Sequence, residues 1–394
     1  IFKGYSDRVE IIENNNTTII KTDDPFIELK KLLGKSDDQK YRYLGGAVGV
    51  VNYDSIRLVE NISEEDNLTQ PIMEFGIYDD GLLYDNVDKK LFYFYHDVNR
   101  FNDFIVSDDS FDEFHSSEVI PNMDKEKFSN IVNKAKQYIH DGDIFQVVLS
   151  RKFAFETSGD NLTLYKTLRK LNPSPYMYHL KQDSKTIIGA SPEMLVRITD
   201  DKVETFPIAG TRKITDNEEK NKALSEELIH DEKELAEHTM LVDLGRNDIG
   251  RVCKYGTVHP ESLMQIKRFS HVQHIVSHVV GNLDSKNDMF DAFQAVFPAG
   301  TVSGAPKVRA MQIIDELETE ERGPYAGAVG YFSYNGCCDF AIAIRSIFIE
   351  NNKGFVQSGA GIVSDSVAEN EFKETEHKAG AMLQALKEAS DWNF

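Results

Sequence analysis

Cysteine is scarce, three among 394 residues, and two of them are the neighbours Cys337 and Cys338. So few thiols exclude a disulfide framework, and no paired Cys/His spacing for zinc is present, so a reducing cytoplasm is expected. Long apolar runs are missing too. None approaches the roughly 20 residues of a membrane helix, and no signal-like segment opens the chain. Positive charge is short: 44 Lys and Arg face 65 Asp and Glu, for a net charge of −21. That balance argues against nucleic acid or an anionic membrane as partner. It also means that an anionic substrate would need local cations to overcome the field. No Gly-Lys-Ser/Thr follows the glycine-rich segment Gly300–Lys307 at P-loop spacing, and no G-x-S-x-G elbow exists. Nucleotide hydrolysis and serine hydrolysis are thereby disfavoured. There is no internal repeat and no low-complexity tract.

What is present suits a large globular protein, with 41% hydrophobic and 28% charged residues. The length predicts two lobes or one composite domain. Residues 1–120 read as a β-rich lobe of regulatory type, with strands near Arg8–Ile12, Thr17–Ile20, Ala47–Tyr53 and Lys90–Tyr95 and a short helix near Pro25–Leu33. The chain opens on Ile1 rather than Met, so a segment upstream is expected to be missing. An acidic stretch from Ser107 to Met123 (Asp108, Asp109, Asp112, Glu113, Glu118) reads as a linker.

Residues 121–394 mix helices and strands without a regular βαβ rhythm, which points to an α+β fold. Helices are expected over Lys125–His140, Leu162–Leu171 and Asp231–Asp243, and from about Pro306 through Leu317. Arg246–Arg251 reads as a polar turn. Tyr176–Leu180 and Thr186–Ala190 predict paired strands. In the strand Phe269–Val279, His274 and His278 share a face and His271 points away. Asp339–Ile349 reads as one apolar strand with Arg345 embedded, a guanidinium that must find a carboxylate, its own or a ligand's.

The C-terminal stretch Gln357–Leu386 concentrates the chemistry. Gly359-Ala360-Gly361 reads as a small-residue turn whose amides can hold a carboxylate. Glu371, Glu374 and Lys378 follow at helical spacing on one face, and Glu234 and Glu237 form a similar pair upstream. Either pair alone is more often a solvated surface. Both together would suit Mg²⁺, which takes oxygen ligands and needs few protein carboxylates.

These segments resemble the chorismate-utilising enzymes, and within them anthranilate synthase component I. The blocks that carry the resemblance are Asp143–Arg151, Ser191-Pro-Glu193, Pro207–Arg212, Glu237–Asp248, Gly300–Lys307 and Gly359–Gly361 with Glu371–Lys378. The resemblance implies large antiparallel sheets packed face to face, helices outside, and an active-site cleft between the sheets. It implies Mg²⁺ on Glu237 and Glu374, with Glu234 and Glu371 holding its waters. Tyr325, Arg345 and the amides of Gly359, Ala360 and Gly361 would take the pyruvyl carboxylate of chorismate. Lys378 would help at the ring carboxylate, while Gly210 and Thr211 would line the ring. Glu193 would act as general acid, and His274, with Thr301 nearby, would serve the elimination of pyruvate.

Isochorismate and salicylate synthases carry a lysine where this chain has Gln146, and aminodeoxychorismate synthases commonly carry one at Ala209. Neither residue here can do that work, so ammonia addition leading to anthranilate is the expected activity, ahead of a non-catalytic homologue. No glutaminase triad is visible, so ammonia is expected from a separate glutamine amidotransferase subunit. Asn172-Pro-Ser-Pro175-Tyr176-Met177 matches half of the family's tryptophan site. The other half, a Leu-Leu-Glu-Ser segment, is absent, so weak tryptophan binding is expected of the chain as given.

Overall fold

The computed structural model describes the chain apart from residues 15, 63–67, 69, 105–112, 270–271 and 392–394. Asp108, Asp109, Asp112 and His271 therefore lie outside the described residues. Two large sheets dominate, one of twelve strands and one of eight. Every described pairing is antiparallel, as the missing βαβ rhythm predicts.

The larger sheet crosses the division expected near residue 120. Gly46–Val51 pairs with Ala328–Ser333, so strands from the first 100 residues continue a sheet completed by Met194–Thr199, Val272–Asn282 and Cys338–Ile342. One apolar cluster binds them, with Phe2 and Phe75 packed among Phe293, Phe332 and Phe340. Ile187 and Phe348 of the smaller sheet join that cluster, so the sheets face each other across it.

Helices cover the far face of the smaller sheet. Asn161–Leu171 and Ala368–Ser390 set Leu164, Leu168, Met382 and Leu386 against Ile188 and Val356. Lys125–His140 and Lys307–Leu317 bury Phe128, Val132, Ile313 and Ile314 against Val147 and Leu149. Each such side chain contributes about 1.5–3 kcal/mol of apolar transfer. Caps match the sequence where a short polar residue precedes the helix. Asp231, for example, accepts from the N–H groups of Lys233 and Glu234.

Three expectations are corrected, and one helix is added. Arg246–Gly250 is not a turn; the helix begun at Glu232 runs to Gly250, because Leu241, Val242 and Ile249 remain on its buried face. Lys307 Nζ also anchors Asp248 on that helix at 2.7 Å. The helix Glu218–His230, which has almost no amphipathic stripe, was not foreseen; Asn217 caps it through Lys220 N–H. Gly359–Gly361 is no turn either. It lies inside the strand Lys353–Ile362, where missing side chains allow close approach. Last, Asp339–Ile349 is two strands. Cys338–Ile342 belongs to the larger sheet and Ser346–Glu350 to the smaller, and Arg345 stands in the crossing with φ 52°.

Candidate active site

The crossing at Arg345 places the site between the sheets. Arg345 Nη1 donates to the Lys378 carbonyl at 2.6 Å, and among the described residues no acidic side chain forms an ion pair with it. Lys378 in turn reaches Glu374 at 2.6 Å and donates to the Gly359 carbonyl at 3.1 Å. The internal salt bridge that could have satisfied Arg345 is therefore not made. A carboxylate from outside the chain fits its guanidinium.

The Gly359–Gly361 amides are aimed by strand parity. Gly359 stands opposite Ser150 and Gly361 opposite Val148 on the strand Gln146–Gly159. Ser150 N–H goes to Glu318 and Val148 C=O accepts from Arg322, so neither is spent on the glycines. In an antiparallel pair such positions turn their N–H and C=O groups to the other edge. There Ser346–Glu350 pairs only as far as Val356, leaving the two amides clear of a strand. A Cβ on Gly359 would meet Tyr325 Oη at 2.9 Å, and one on Gly361 would meet Gln146 Nε2 at 2.7 Å. The bare backbone thus runs between Tyr325 and Gln146.

From Gln146 the chain of contacts turns to the acids. Gln146 Nε2 donates to Glu237 at 3.2 Å, while its Oε1 is buried with no partner among the described residues. Burial raises the pKa of Glu237, and Glu234 and Glu374 raise it further, against Gln146 and Lys378. Burial likewise raises Glu371, with Glu374 adding to it. Arg212 holds Glu234 at 3.0 Å, together with Asp231 and Glu227. Glu237 thus feels Glu234 and Glu374, and Glu371 feels Glu374, while Arg212 and Lys378 each pair with one of the four. Among the described residues no three His, Cys, Asp or Glu groups close to metal-ligating reach. The all-oxygen donor set, the mutual repulsion and the orphaned Gln146 Oε1 fit a hard divalent cation.

Across the site, His274 Nδ1 lies 2.9 Å from the Gly210 carbonyl and 3.1 Å from Thr211 Oγ1. With Nδ1–H donated to that carbonyl, Nε2 is left as the basic nitrogen. Burial, and to a lesser degree Arg345, lowers the imidazole pKa, against the bond to Gly210. Glu193 is pushed the other way, up to about 8, by burial, with Thr301 and Lys378 opposing. Thr301 Oγ1 is buried without a hydrogen bond of normal geometry among the described residues.

Asn172, Pro175, Tyr176 and Met177 lie apart from this ring. Tyr176 Oη donates to Asp339 at 2.7 Å, and Asn172 closes the helix Asn161–Leu171. Sequence reasoning missed Arg212, Glu318 and Arg322. Arg212 entered only as the last residue of the block Pro207–Arg212, with no role, and the other two follow a helix where no periodicity marks them.

The family described as chorismate binding enzyme matches residues 2–384. The chain belongs to that family. This chorismate-binding enzyme is 45% identical to anthranilate synthase component 1 of Acetivibrio thermocellus over 423 residues, covering 99% of this chain and 86% of that protein. It is 44% identical to anthranilate synthase component 1 of Aquifex aeolicus (strain VF5), over 97% of this chain and 83% of that one. The crystal structure of anthranilate synthase component I from Streptococcus pneumoniae TIGR4 matches with a TM-score of 0.82 and 39% identity, covering 97% of this chain and 91% of that chain. MenF, the menaquinone-specific isochorismate synthase from Escherichia coli, shares the fold at a TM-score of 0.72 and 20% identity.

Proposed function

We propose that this chorismate-binding enzyme is a lyase that converts chorismate and ammonia to anthranilate, pyruvate and water, as the large subunit of anthranilate synthase in tryptophan biosynthesis. The relatives of that name, similar over nearly the whole chain, support the reaction. One observation carries the division of labour: burial pushes Glu193 up to about 8 and His274 down, so an acid and a base stand ready in one site at neutral pH.

Chorismate would lie with its pyruvyl carboxylate on Arg345, Tyr325 and the amides of Gly359 and Gly361, and its ring along Gly210 and Thr211; the Ala360 amide, expected with them, faces Leu149 in the strand pair and is not free to join. Protonated Glu193 gives its proton to the departing 4-hydroxyl as ammonia adds at C2. Thr301 holds the Glu193 end of the site. His274 Nε2 then takes the C2 proton, the electrons rearomatise the ring, and the enolpyruvyl group leaves as pyruvate. Lys378 balances the ring carboxylate. When bound by Glu237 and Glu374, with Glu234 and Glu371 holding its waters, Mg²⁺ supplies the positive charge that lets that carboxylate enter a chain of net charge −21. Gln146 and Ala209 offer no amine for water activation or covalent attack, which separates this chemistry from the isochorismate and aminodeoxychorismate branches.

Ammonia comes from glutamine through a partner amidotransferase subunit in the cytoplasm. Tryptophan is the proposed effector, with Asn172, Pro175, Tyr176 and Met177 as half of its site and only weak binding expected; calorimetry that shows tight tryptophan binding by this chain would overturn the half-site reading. The direct test of the reaction is fluorescence and mass detection of product from chorismate, Mg²⁺ and ammonium. A nitrogen-free product such as isochorismate would overturn the reading.

A further inference from the structure

The outer edge of the strand Gln146–Gly159 has a gap. Gly304–Ala305 pairs with Gln146 and Val147, and Ile120–Pro121 pairs with Phe153 and Ala154. Between them two side chains take the place of a strand. Arg322 Nη2 donates to the Val148 carbonyl at 2.7 Å, and Glu318 accepts the Ser150 N–H at 2.7 Å and its hydroxyl at 2.8 Å. The two side chains clasp each other through two hydrogen bonds, at 2.9 and 2.7 Å, and are 2% and 5% exposed. Arg322 Nη1 donates to the Val302 carbonyl at 2.8 Å, directly after Thr301. Its own carbonyl accepts from Tyr325 N–H at 3.2 Å, and its guanidinium lies 5.7 Å from the Tyr325 ring. Ser150 Oγ also accepts from Gln357 Nε2 at 2.9 Å, two residues before Gly359.

A buried ion pair of this kind adds little net stability over an apolar replacement of the same shape, because desolvation cancels most of the attraction. This pair is instead bonded to three segments that end in proposed substrate contacts. We infer that Arg322 and Glu318 are positioning residues: without touching substrate they set the spacing of the Gly359–Gly361 amides, Tyr325 and Thr301. The inference rests on the chorismate reading above. Two things follow from the geometry. By bonding Val148 C=O and Ser150 N–H where no strand does, the pair holds this stretch of strand, and with it the glycines paired to it, in place. By holding Val302, it fixes the turn that presents Thr301 beside Glu193.

The experiment compares Arg322→Lys, Glu318→Gln and Ser150→Ala with Glu74→Gln, which breaks the pair of buried Glu74 with the partly exposed Lys185. Thermal unfolding, chorismate binding by calorimetry, and KM and kcat with ammonium are measured on each. The expected result is folded variants in which KM for chorismate rises about tenfold or more, the KM for ammonium holds, and Ser150→Ala shows a smaller rise. Glu74→Gln should lose stability with KM unchanged. Unchanged chorismate KM in folded Glu318→Gln or Arg322→Lys would overturn the inference, as would an equal rise in Glu74→Gln. If Arg322→Lys fails to fold, the Glu318→Gln and Ser150→Ala pair decides. If wild-type protein binds chorismate yet forms no anthranilate, the reaction reading fails, and chorismate affinity across the same variants still decides the positioning role.

Discussion

Glu193 and His274 are shifted in opposite directions by the same cause, because burial penalises whichever form is charged. With its pKa near 8, the Glu193 carboxyl keeps its proton at neutral pH and loses it as the pH rises through about 8. Turnover should therefore fall along an alkaline limb near 8, and Glu193→Gln should abolish that limb while lowering kcat about 10²- to 10⁴-fold. A pH–rate profile with no limb there would contradict the role. Stability carries the matching sign. Between the ordinary 4.5 and about 8 the folded state binds the proton and the unfolded state does not, so stability falls as pH rises across that window. His274→Ala should instead separate the two half-reactions. Amination survives better than elimination, and aminodeoxyisochorismate accumulates; unchanged anthranilate formation by mass analysis would refute it.

At the scale of elements, two helices and one strand bring the acids and the amides together. The helices Glu232–Gly250 and Ala368–Ser390 each present a pair of glutamates at helical spacing. Glu237→Gln and Glu374→Gln should each weaken Mg²⁺ binding, measured by calorimetry with chorismate present, and lower activity about a hundredfold or more. Full Mg²⁺ affinity in either variant would remove that residue as a ligand. The strand Lys353–Ile362 works by what it omits. A Cβ at Gly359 would meet Tyr325 Oη and Val148 Cγ1 at 2.9 Å and the Leu149 carbonyl at 3.0 Å, and the last is backbone that cannot swing aside. Gly359→Ala should cost about 1–3 kcal/mol of stability and raise KM for chorismate. An unaltered KM would show that these amides do not face the substrate. The spacing of the glutamates was legible in the sequence because helical period is local. The strand assignment of Gly359–Gly361 was not, since small residues between apolar ones mark turns and close-approach strands alike. Arg345 was singled out for the right reason, an apolar setting, yet its place at a crossing between sheets depends on partners more than 100 residues away.

At the scale of the whole molecule, the two large sheets are joined at the candidate site. Antiparallel pairing throughout was readable from the lack of a βαβ rhythm, while the sharing of one sheet across residue 120 was not, because sheet order is set by long-range pairing. Ala343, Ile344 and Arg345 are all that separate the last residue of one strand in the larger sheet from the first of another in the smaller. Three residues span at most about 10 Å, so the sheets have almost no slack there. A second crossing is shorter still: Pro192 and Glu193 alone separate Ser191 of the smaller sheet from Met194 of the larger. In mechanical terms these are two short tethers, and Tyr176 ties the sheets once more through Asp339 at 2.7 Å. Rotation of one sheet about either tether would strain the other. The guanidinium of Arg345 and the carboxyl of Glu193 therefore sit on one stiff seam rather than on parts that move independently.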